Sequence, residues 1–359
     1  MKNIADIKNV LHHFNITDAT DIFGNGHIND TYRIAGGKYI LQRINTSIFT
    51  HPAELMENIE SVTAFLRHKI TAAGGDPDRE TLTVIKATDG SSFYQLDDDN
   101  VYRVYKYIAD TKTIENDKTL DDLYQAGIGF GHFQKLLSDY PVNTLHETIK
   151  DFHHTPRRIE ALKTAIKEDR AGRAVSVGKE IAFALENAVF ADKVITGIES
   201  GEIPIRVTHN DTKINNILFD SHTGKAVCVI DLDTVMSGSM LYDFGDALRM
   251  GGSTALEDET DLSLVSFDIK AFRAFARGYL SEMKDELTCK ELALLPFSVK
   301  LLTYECGVRF LTDYLNGDTY FKTRRPGQNL DRARNQFKLV EDIAAKEDVL
   351  ANIVKDIYG

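Results

Sequence analysis

The chain has only three cysteines, Cys228, Cys289 and Cys306, too few and too scattered for a disulfide framework or a zinc site. Cys228 falls inside an apolar strand pattern and reads as a small core residue. The eleven histidines show no paired ligand spacing beyond the doublets His12-His13 and His153-His154, which read as surface or packing residues. No apolar run reaches the length of a membrane span. The opening segment MKNIADIKNVLHHF carries charge through its apolar positions, so it lacks a signal-peptide centre and reads as an amphipathic helix. A cytoplasmic protein, with no membrane partner, is expected. Basic excess is missing too. With 42 Lys and Arg against 54 Asp and Glu the formal charge is −12, which argues against a nucleic-acid partner, since such binding rests on phosphate contacts. That charge does not exclude one nucleotide, whose triphosphate a metal and a few local groups can neutralise. Internal repeats and low-complexity segments are absent. What is there is ordinary globular composition, 43% hydrophobic and 27% charged, over 359 residues, enough for two domains with real cores.

Residues 20–45 alternate like paired strands, with Tyr32 and Ile34 before a Gly36-Gly37 hairpin turn and Tyr39-Ile40-Leu41 after it. From Pro52 to about Lys69, Leu55, Ile59, Val62, Phe65 and Leu66 recur at helical spacing. Strand-like stretches follow at 82–85 and 92–96, then a turn at 97–100 and a strand over Val101–Ile108. Beyond that the periodicity is helical, over about 120–138, 156–169, 178–199, 268–283, 290–315 and 329–357, broken by one β segment at 205–235. This order predicts an α+β, bilobal architecture: a small mixed α/β lobe over 1–108 with a hinge at its end, and a larger, mainly helical lobe over 109–359.

The stretch Arg206–Arg249 carries the chemistry. His209-x-Asp211 is followed, five residues after the aspartate, by Asn216; then come an apolar strand, a polar turn and a second strand ending in Asp231. If Thr223-Gly224 is a two-residue hairpin centre, Asn216 sits opposite Asp231, two oxygen donors suited to Mg²⁺ at the open end of one hairpin. Asp211, on the loop leading into the first strand, points toward the same end, where a carboxylate can meet an acceptor hydroxyl beside a metal-bound triphosphate.

This segment resembles the catalytic loop and metal-binding hairpin of the aminoglycoside phosphotransferase and choline kinase superfamily, itself distantly similar to protein kinases. The resemblance implies that Asp211 is the catalytic aspartate and that Asn216 and Asp231 hold magnesium. Lys213 lies where it can stabilise the transferred phosphoryl group; Asp233 can assist a second metal or simply hydrogen-bond nearby. Asp243-Phe244-Gly245 spells the protein-kinase metal motif, but it follows Asp211 by 32 residues and lies outside the hairpin. Asp243 instead resembles the family's buried aspartate, which braces the catalytic loop through backbone N–H groups.

On the nucleotide side, Gly24-Asn25-Gly26-His27-Ile28-Asn29 lies between strand patterns, as a phosphate-covering loop would, which singles out Gly24 and Gly26. Kinases usually carry a lysine on the next strand for the phosphates. Here that position aligns with Gln42, with Arg43 beside it, so the usual ion pair with Glu57 or Glu60 is in question. Either Arg43 substitutes, or magnesium carries more of the phosphate charge. The hinge, Val104–Ile108 with Tyr105 and Tyr107, faces the purine of ATP.

The likeness extends further. FGNGHINDTY, YILQRINTSIF, VYRVYKYI, VTHNDTKINNIL, VIDLDTVMSGSMLYDFGDALR, STALEDETDL and LLTYECGVRFLTDYLNGDTYF together look like the N-acetylhexosamine 1-kinases, from about residue 20 to 345. That family phosphorylates the anomeric hydroxyl of N-acetylglucosamine or N-acetylgalactosamine with ATP and Mg²⁺, and the likeness points to His27, Asp211, Arg309 and Tyr320 as sugar contacts. Met250 is placed to supply apolar contact. Arg309 and Tyr320 can equally decorate a helix surface or pair internally with Glu305 or Asp313. The alternatives are the same fold acting on homoserine, choline, methylthioribose or an aminoglycoside, or a nucleotide-binding pseudokinase. A cationic acceptor would favour a carboxylate-rich pocket, for which Ser253–Leu262 supplies acidic residues, though these suit a solvated loop as well. A monomer or weak dimer is expected.

Overall fold

The computed structural model describes residues 4–17, 29–115 and 117–359. In chain order its elements are α1 (Ile4–His12), β1 (Asp30–Ile34), β2 (Tyr39–Ile44), α2 (Pro52–Ala72), the single turn α3 (Pro77–Glu80), β3 (Val84–Ile85), β4 (Tyr94–Asp97), β5 (Asn100–Lys106) and β6 (Thr111–Lys112). Then come α4 (Leu120–Leu136), α5 (Thr155–Glu168), α6 (Gly178–Glu186), α7 (Lys193–Glu199), β7 (Arg206–Thr208), β8 (Ile217–Asp220), β9 (Ala226–Val229) and β10 (Met236–Gly238). Last are α8 (Met240–Gly251), α9 (Ile269–Met283), α10 (Cys289–Leu315) and α11 (Gln328–Tyr358). The described residues fall into one unit drawn from 1–113, 139–150 and 217–237, and another drawn from 114–138, 151–216 and 238–359.

The first unit is built on an antiparallel sheet in the order β1-β2-β5-β3, with β4 also paired to β5. The β1–β2 hairpin turns through Ala35, Gly36 and Gly37, all at positive φ, a conformation that glycine adopts without steric cost. Helix α1 presents Ile7, Val10 and Leu11, and the turn after it Phe14, to Ile34, Leu41, Tyr102 and Val104 of the sheet. Each such side chain removed from water contributes about 2 kcal/mol. Helix α2 buries Leu55, Ile59, Val62 and Leu66 of the predicted stripe, together with Met56 and Ile70, while Phe65 is only partly buried.

The β8–β9 hairpin in the same unit forms where expected but in another register. Ile217 pairs with Val229 rather than Ile230, Leu218 with Cys228, and Phe219 with Ala226 after a one-residue shift. The cause is Asp220, whose carboxylate accepts the N–H groups of His222 (3.0 Å) and Thr223 (2.8 Å). That Asx-type turn spreads the loop over residues 221–224 in place of a two-residue centre at Thr223-Gly224. The expected cross-strand pair of Asn216 with Asp231 is therefore not formed. Asn216 ends a short 3₁₀ turn, Ile214–Asn216, and Asp231 lies past the ladder in left-handed conformation, at φ +60°.

The second unit is mainly helical. α5, α6, α10 and α11 enclose a core around Leu162, Val177, Tyr304, Leu311 and Phe337. Two departures from the periodicity occur here. The expected helix over 178–199 is broken into α6, a 3₁₀ turn at Asn187–Phe190, and α7. Helix α8 is not among the expected helices: all but one of its twelve residues are buried, and its charged stripe, Asp243, Asp246 and Arg249, faces internal partners rather than solvent.

Candidate active site

Strand β7 delivers the segment His209-Asn210-Asp211-Thr212 to one end of α8 in the helical unit. Asn210 sits at φ +66°, a left-handed conformation that asparagine tolerates better than most residues. Asp243, in the first turn of α8, is 2% exposed, and its carboxylate accepts the N–H groups of His209 (2.9 Å) and Asn210 (2.7 Å) and the Gln134 amide (2.6 Å). Burial pushes the Asp243 carboxyl up, held back by those donors. Asp246, one turn on, accepts the Thr212 N–H at 3.0 Å. The literal Asp-Phe-Gly is thus part of a helix: Phe244 packs edge-on against Phe272, Phe275 and Tyr279. Gly245 is glycine because a Cβ there would lie 2.4 Å from the Ser298 carbonyl oxygen of α10.

Asp211 is held by its immediate neighbours. Its Oδ1 lies 2.7 Å from Lys213 Nζ, and Asn216 Nδ2 donates to its carbonyl (2.8 Å) and to its Oδ2 (3.2 Å). Its own N–H donates to His209 Nδ1 at 3.2 Å, and the His209 ring meets Phe130 and Phe133 edge-on. Burial works to raise the Asp211 carboxyl, but the Lys213 ammonium outweighs it and holds the group below the usual aspartate value. The Lys213 ammonium is raised in turn: burial opposes its charge, and Asp211 and Asp246 together overcome that. The loop therefore presents an ionised carboxylate and a charged ammonium, each partly exposed.

The same unit brings Arg309 and Tyr320 together. The half-buried Arg309 guanidinium lies over three rings, Phe152 at 5.0 Å, Phe321 at 5.5 Å and the half-exposed Tyr320 at 5.9 Å. Burial opposes the Arg309 charge, while Tyr320 and Glu305 raise it. Met250 is partly exposed at the end of α8, its carbonyl taken by Lys118 Nζ at 2.9 Å. The acidic run after it is committed internally: Glu257 to Arg249 (2.8 Å), Asp258 to Gln328 (2.8 Å) and Asp261 to the turn at Ser263.

In the sheet-bearing unit, Gly24, Gly26 and His27 lie outside the described residues. Arg43 pairs with Asp30 directly across β1 (2.6 Å) and donates to the Asp99 carbonyl. Adjacent strand residues point to opposite faces, so Arg43 and Gln42 face apart. Glu57 pairs with His146 and Glu60 with Lys86, so neither supplies a carboxylate to β2. Tyr105 is buried on β5, and Tyr107 lies under the Arg33 guanidinium at 4.0 Å. Among the described residues no group of three or more His, Cys, Asp or Glu is placed to hold a metal ion.

Two structural roles escaped the sequence. His153 faces Glu305 (2.7 Å) with Nδ1 and the Asn210 carbonyl (3.0 Å) with Nε2, bracing the His209–Thr212 loop against α10. Glu305, considered as a partner for Arg309, is taken by His153 and by Thr155 (2.6 Å). No motif joins residues so far apart. Arg103 is the other case. With Lys106 it is one of two basic residues in the strand VYRVYKYI, but Lys106 is exposed at the strand's end while Arg103, flanked by apolar neighbours, is 1% exposed, and that incongruity was the signal available.

The chain matches the phosphotransferase enzyme family (APH) over residues 21–281 and belongs to that family. Among solved structures it is similar to a microcompartment-associated aminopropanol kinase, at 20% identity and a TM-score of 0.61 over 96% of this chain and 98% of that one. A spectinomycin phosphotransferase in complex with ADP and spectinomycin is similar at 14% identity and a TM-score of 0.60, over 97% and 99%. An amicoumacin kinase in complex with AMP-PNP and Ca²⁺ follows at 15% and 0.56, over 91% and 88%. The fold is accordingly α+β and aminoglycoside-phosphotransferase-like. No helix among the described residues is long and apolar enough to cross a membrane.

Proposed function

We propose that the chain transfers the γ-phosphoryl group of ATP to the anomeric hydroxyl of an N-acetylhexosamine, N-acetylglucosamine or N-acetylgalactosamine. The observation that carries the reading is the Asp211–Lys213–Asn216 cluster on a loop braced by Asp243. Asp211, ionised at neutral pH, accepts a hydrogen bond from the sugar 1-hydroxyl and turns its oxygen toward the phosphorus. With its basicity lowered by Lys213 it orients more than it abstracts, which suits a loose transition state with little charge on the nucleophile. Lys213 stabilises negative charge on the transferring oxygens.

Asn216 and Asp231 are assigned as the oxygen donors for Mg²⁺. The donor chemistry fits: the Asn216 amide N–H is spent on Asp211, which leaves its oxygen for a hard cation, and Asp231 offers a carboxylate. When bound, the ion offsets the charge of the β- and γ-phosphates. ATP is assigned to the sheet-bearing unit, with Gly24 and Gly26 over the phosphates and Tyr105 and Tyr107 beside the purine. Because Arg43 is engaged by Asp30, phosphate charge is better left to Mg²⁺ and Lys213 than to Arg43.

For the acceptor, His27, Met250, Arg309 and Tyr320 are the proposed sugar contacts. A guanidinium among aromatic rings offers directional donors and an apolar face, as a neutral sugar requires. Amine-bearing acceptors are the second reading, suggested by the names of the aminopropanol and spectinomycin enzymes. Two observations weigh against them: the Arg309 charge would repel a cation, and the acidic run at 253–262 is spent on internal partners. Replacing Arg309 by alanine should raise the sugar KM by about 10- to 100-fold, the loss of one charge-assisted hydrogen bond, while nucleotide affinity holds. Direct steady-state kinetics with both substrates varied would check this. The substrate assignment itself is tested by ADP release over sugars, amino alcohols and aminoglycosides, with phosphorus NMR of the product. Phosphate on an anomeric oxygen is expected. Phosphate elsewhere overturns the assignment, and nucleotide binding with no turnover on any acceptor makes the chain a pseudokinase.

A further inference from the structure

The missing strand lysine leaves a question that the sheet-bearing unit answers by itself. In the β2–β5 ladder Gln42 stands directly opposite Arg103. Gln42 Oε1 accepts from both Arg103 Nε (3.0 Å) and Nη2 (2.8 Å), so the glutamine receives one edge of the guanidinium. On its other side Arg103 Nη1 lies 2.6 Å from Asp233 Oδ1. Asp233 Oδ2 takes the Asn29 amide at 2.7 Å, and Asn29 Oδ1 takes the Asn45 N–H at 2.9 Å. The Arg103 and Asp233 side chains are 1% and 4% exposed.

Each part of this chain has a physical consequence. A guanidinium so fully enclosed, held by Gln42 on one edge and Asp233 on the other, has no route to a phosphate arriving from solvent. Asp233 sits two residues after Asp231, and two carboxylates that close on one short segment repel each other unless one is neutralised. Arg103 neutralises Asp233, and Asp231 contributes to the field that holds Arg103 charged. The segment Leu232–Thr234 is in addition fastened by Thr148 Oγ1, which donates to the Asp233 carbonyl at 3.1 Å. A lysine at position 42 would compete with Arg103 for the same buried space and add a like charge beside it. Glutamine there is the neutral acceptor that the arginine needs.

We propose that Arg103, from β5, tethers the Asp231–Asp233 segment to the sheet, and that Asp233 is its counterion and not a ligand of a second metal. Arg103 is thus a positioning residue: it fixes the Asp231–Asp233 segment to the sheet, and of the two carboxylates there Asp233 is the one spent on it. The inference rests on the phosphotransferase reading and is independent of which acceptor is used.

The test is calorimetric titration of AMP-PNP into the full chain without any acceptor, at a series of Mg²⁺ concentrations. The variants are Arg103→Met, Asp233→Asn and the two combined. Removing one member of a buried charge pair should weaken nucleotide binding by about 100-fold. The double variant, which removes both charges, should recover to within about tenfold of wild type. Its half-saturating Mg²⁺ concentration should match that of the wild-type chain. A double variant no better than Arg103→Met overturns the pairing. A half-saturating Mg²⁺ concentration raised tenfold or more in it, as roughly expected for loss of a carboxylate ligand, overturns the counterion role. Where Arg103→Met fails to fold, the double variant still decides: folding with wild-type Mg²⁺ dependence supports the proposal, and failure to fold counts against it. Absence of nucleotide binding in the wild-type chain would instead sink the phosphotransferase reading, before any variant is compared.

Discussion

Asp211→Asn should lower kcat by about a thousandfold or more while leaving nucleotide and sugar affinity nearly intact. The substitution keeps the shape of the side chain and its contact with Asn216, but it removes the charge that accepts the acceptor hydroxyl and anchors Lys213. A loss confined to kcat is the signature of an interaction that matters in the transition state. The pH profile gives a second readout. The Asp211 carboxyl is held below its ordinary value and is active when ionised, so activity is lost only as pH falls through that depressed value. The acid limb of kcat/KM assigned to this group should therefore lie below about pH 4, the ordinary aspartate range. Single-turnover kinetics and ligand titrations on the asparagine variant check the first part. Turnover near the wild-type rate would remove Asp211 from the role given to it.

Asp243→Ala should cost about 3–5 kcal/mol of stability and abolish turnover in the protein that still folds. Three donors converge on this buried carboxylate, and two are backbone N–H groups of His209 and Asn210, which lose this acceptor once it is gone. Asn210 would then lose what keeps it in left-handed conformation, and Asp211 would drift with it. Asp243→Asn keeps one acceptor oxygen and should fall between wild type and alanine in urea denaturation. Asp243→Asn, which keeps the loop in place, should not alter the half-saturating Mg²⁺ concentration of the folded fraction. A change there would return Asp243 to the metal site that its Asp-Phe-Gly context suggests by spelling alone.

That context shows how far short motifs can be read. The spacing His209, Asp211, Asn216 was legible because the chain itself connects them: within eight residues the loop closes on its own hydrogen bonds. The order of motifs set the metal reading of Asp243 aside, and its brace role followed from the family resemblance. Helix α8, which carries Asp243, was not legible: its charged stripe, Asp243, Asp246 and Arg249, is spent on internal partners rather than solvent. The hairpin was legible but its register was not. One carboxylate, Asp220, chose a longer turn over the two-residue turn that Thr223-Gly224 allowed. The metal-ligand assignments for Asn216 and Asp231 no longer draw support from a facing pair; they rest on the family motif and on the donor chemistry.

The sequence by itself determined the phosphotransferase class, the α+β fold and the cluster around Asp211, because contacts within a turn, a hairpin or one helical face are written in local spacing. Only the tertiary structure decided which charges are spent on one another. Gln134 reaches Asp243 across 109 residues, His153 reaches Glu305 across 152, and Arg103 finds Gln42 across 61. Those partners are set by strand order and helix packing. A buried charge must be neutralised by whatever the fold brings alongside it, and that neighbour has no mark in the sequence around it.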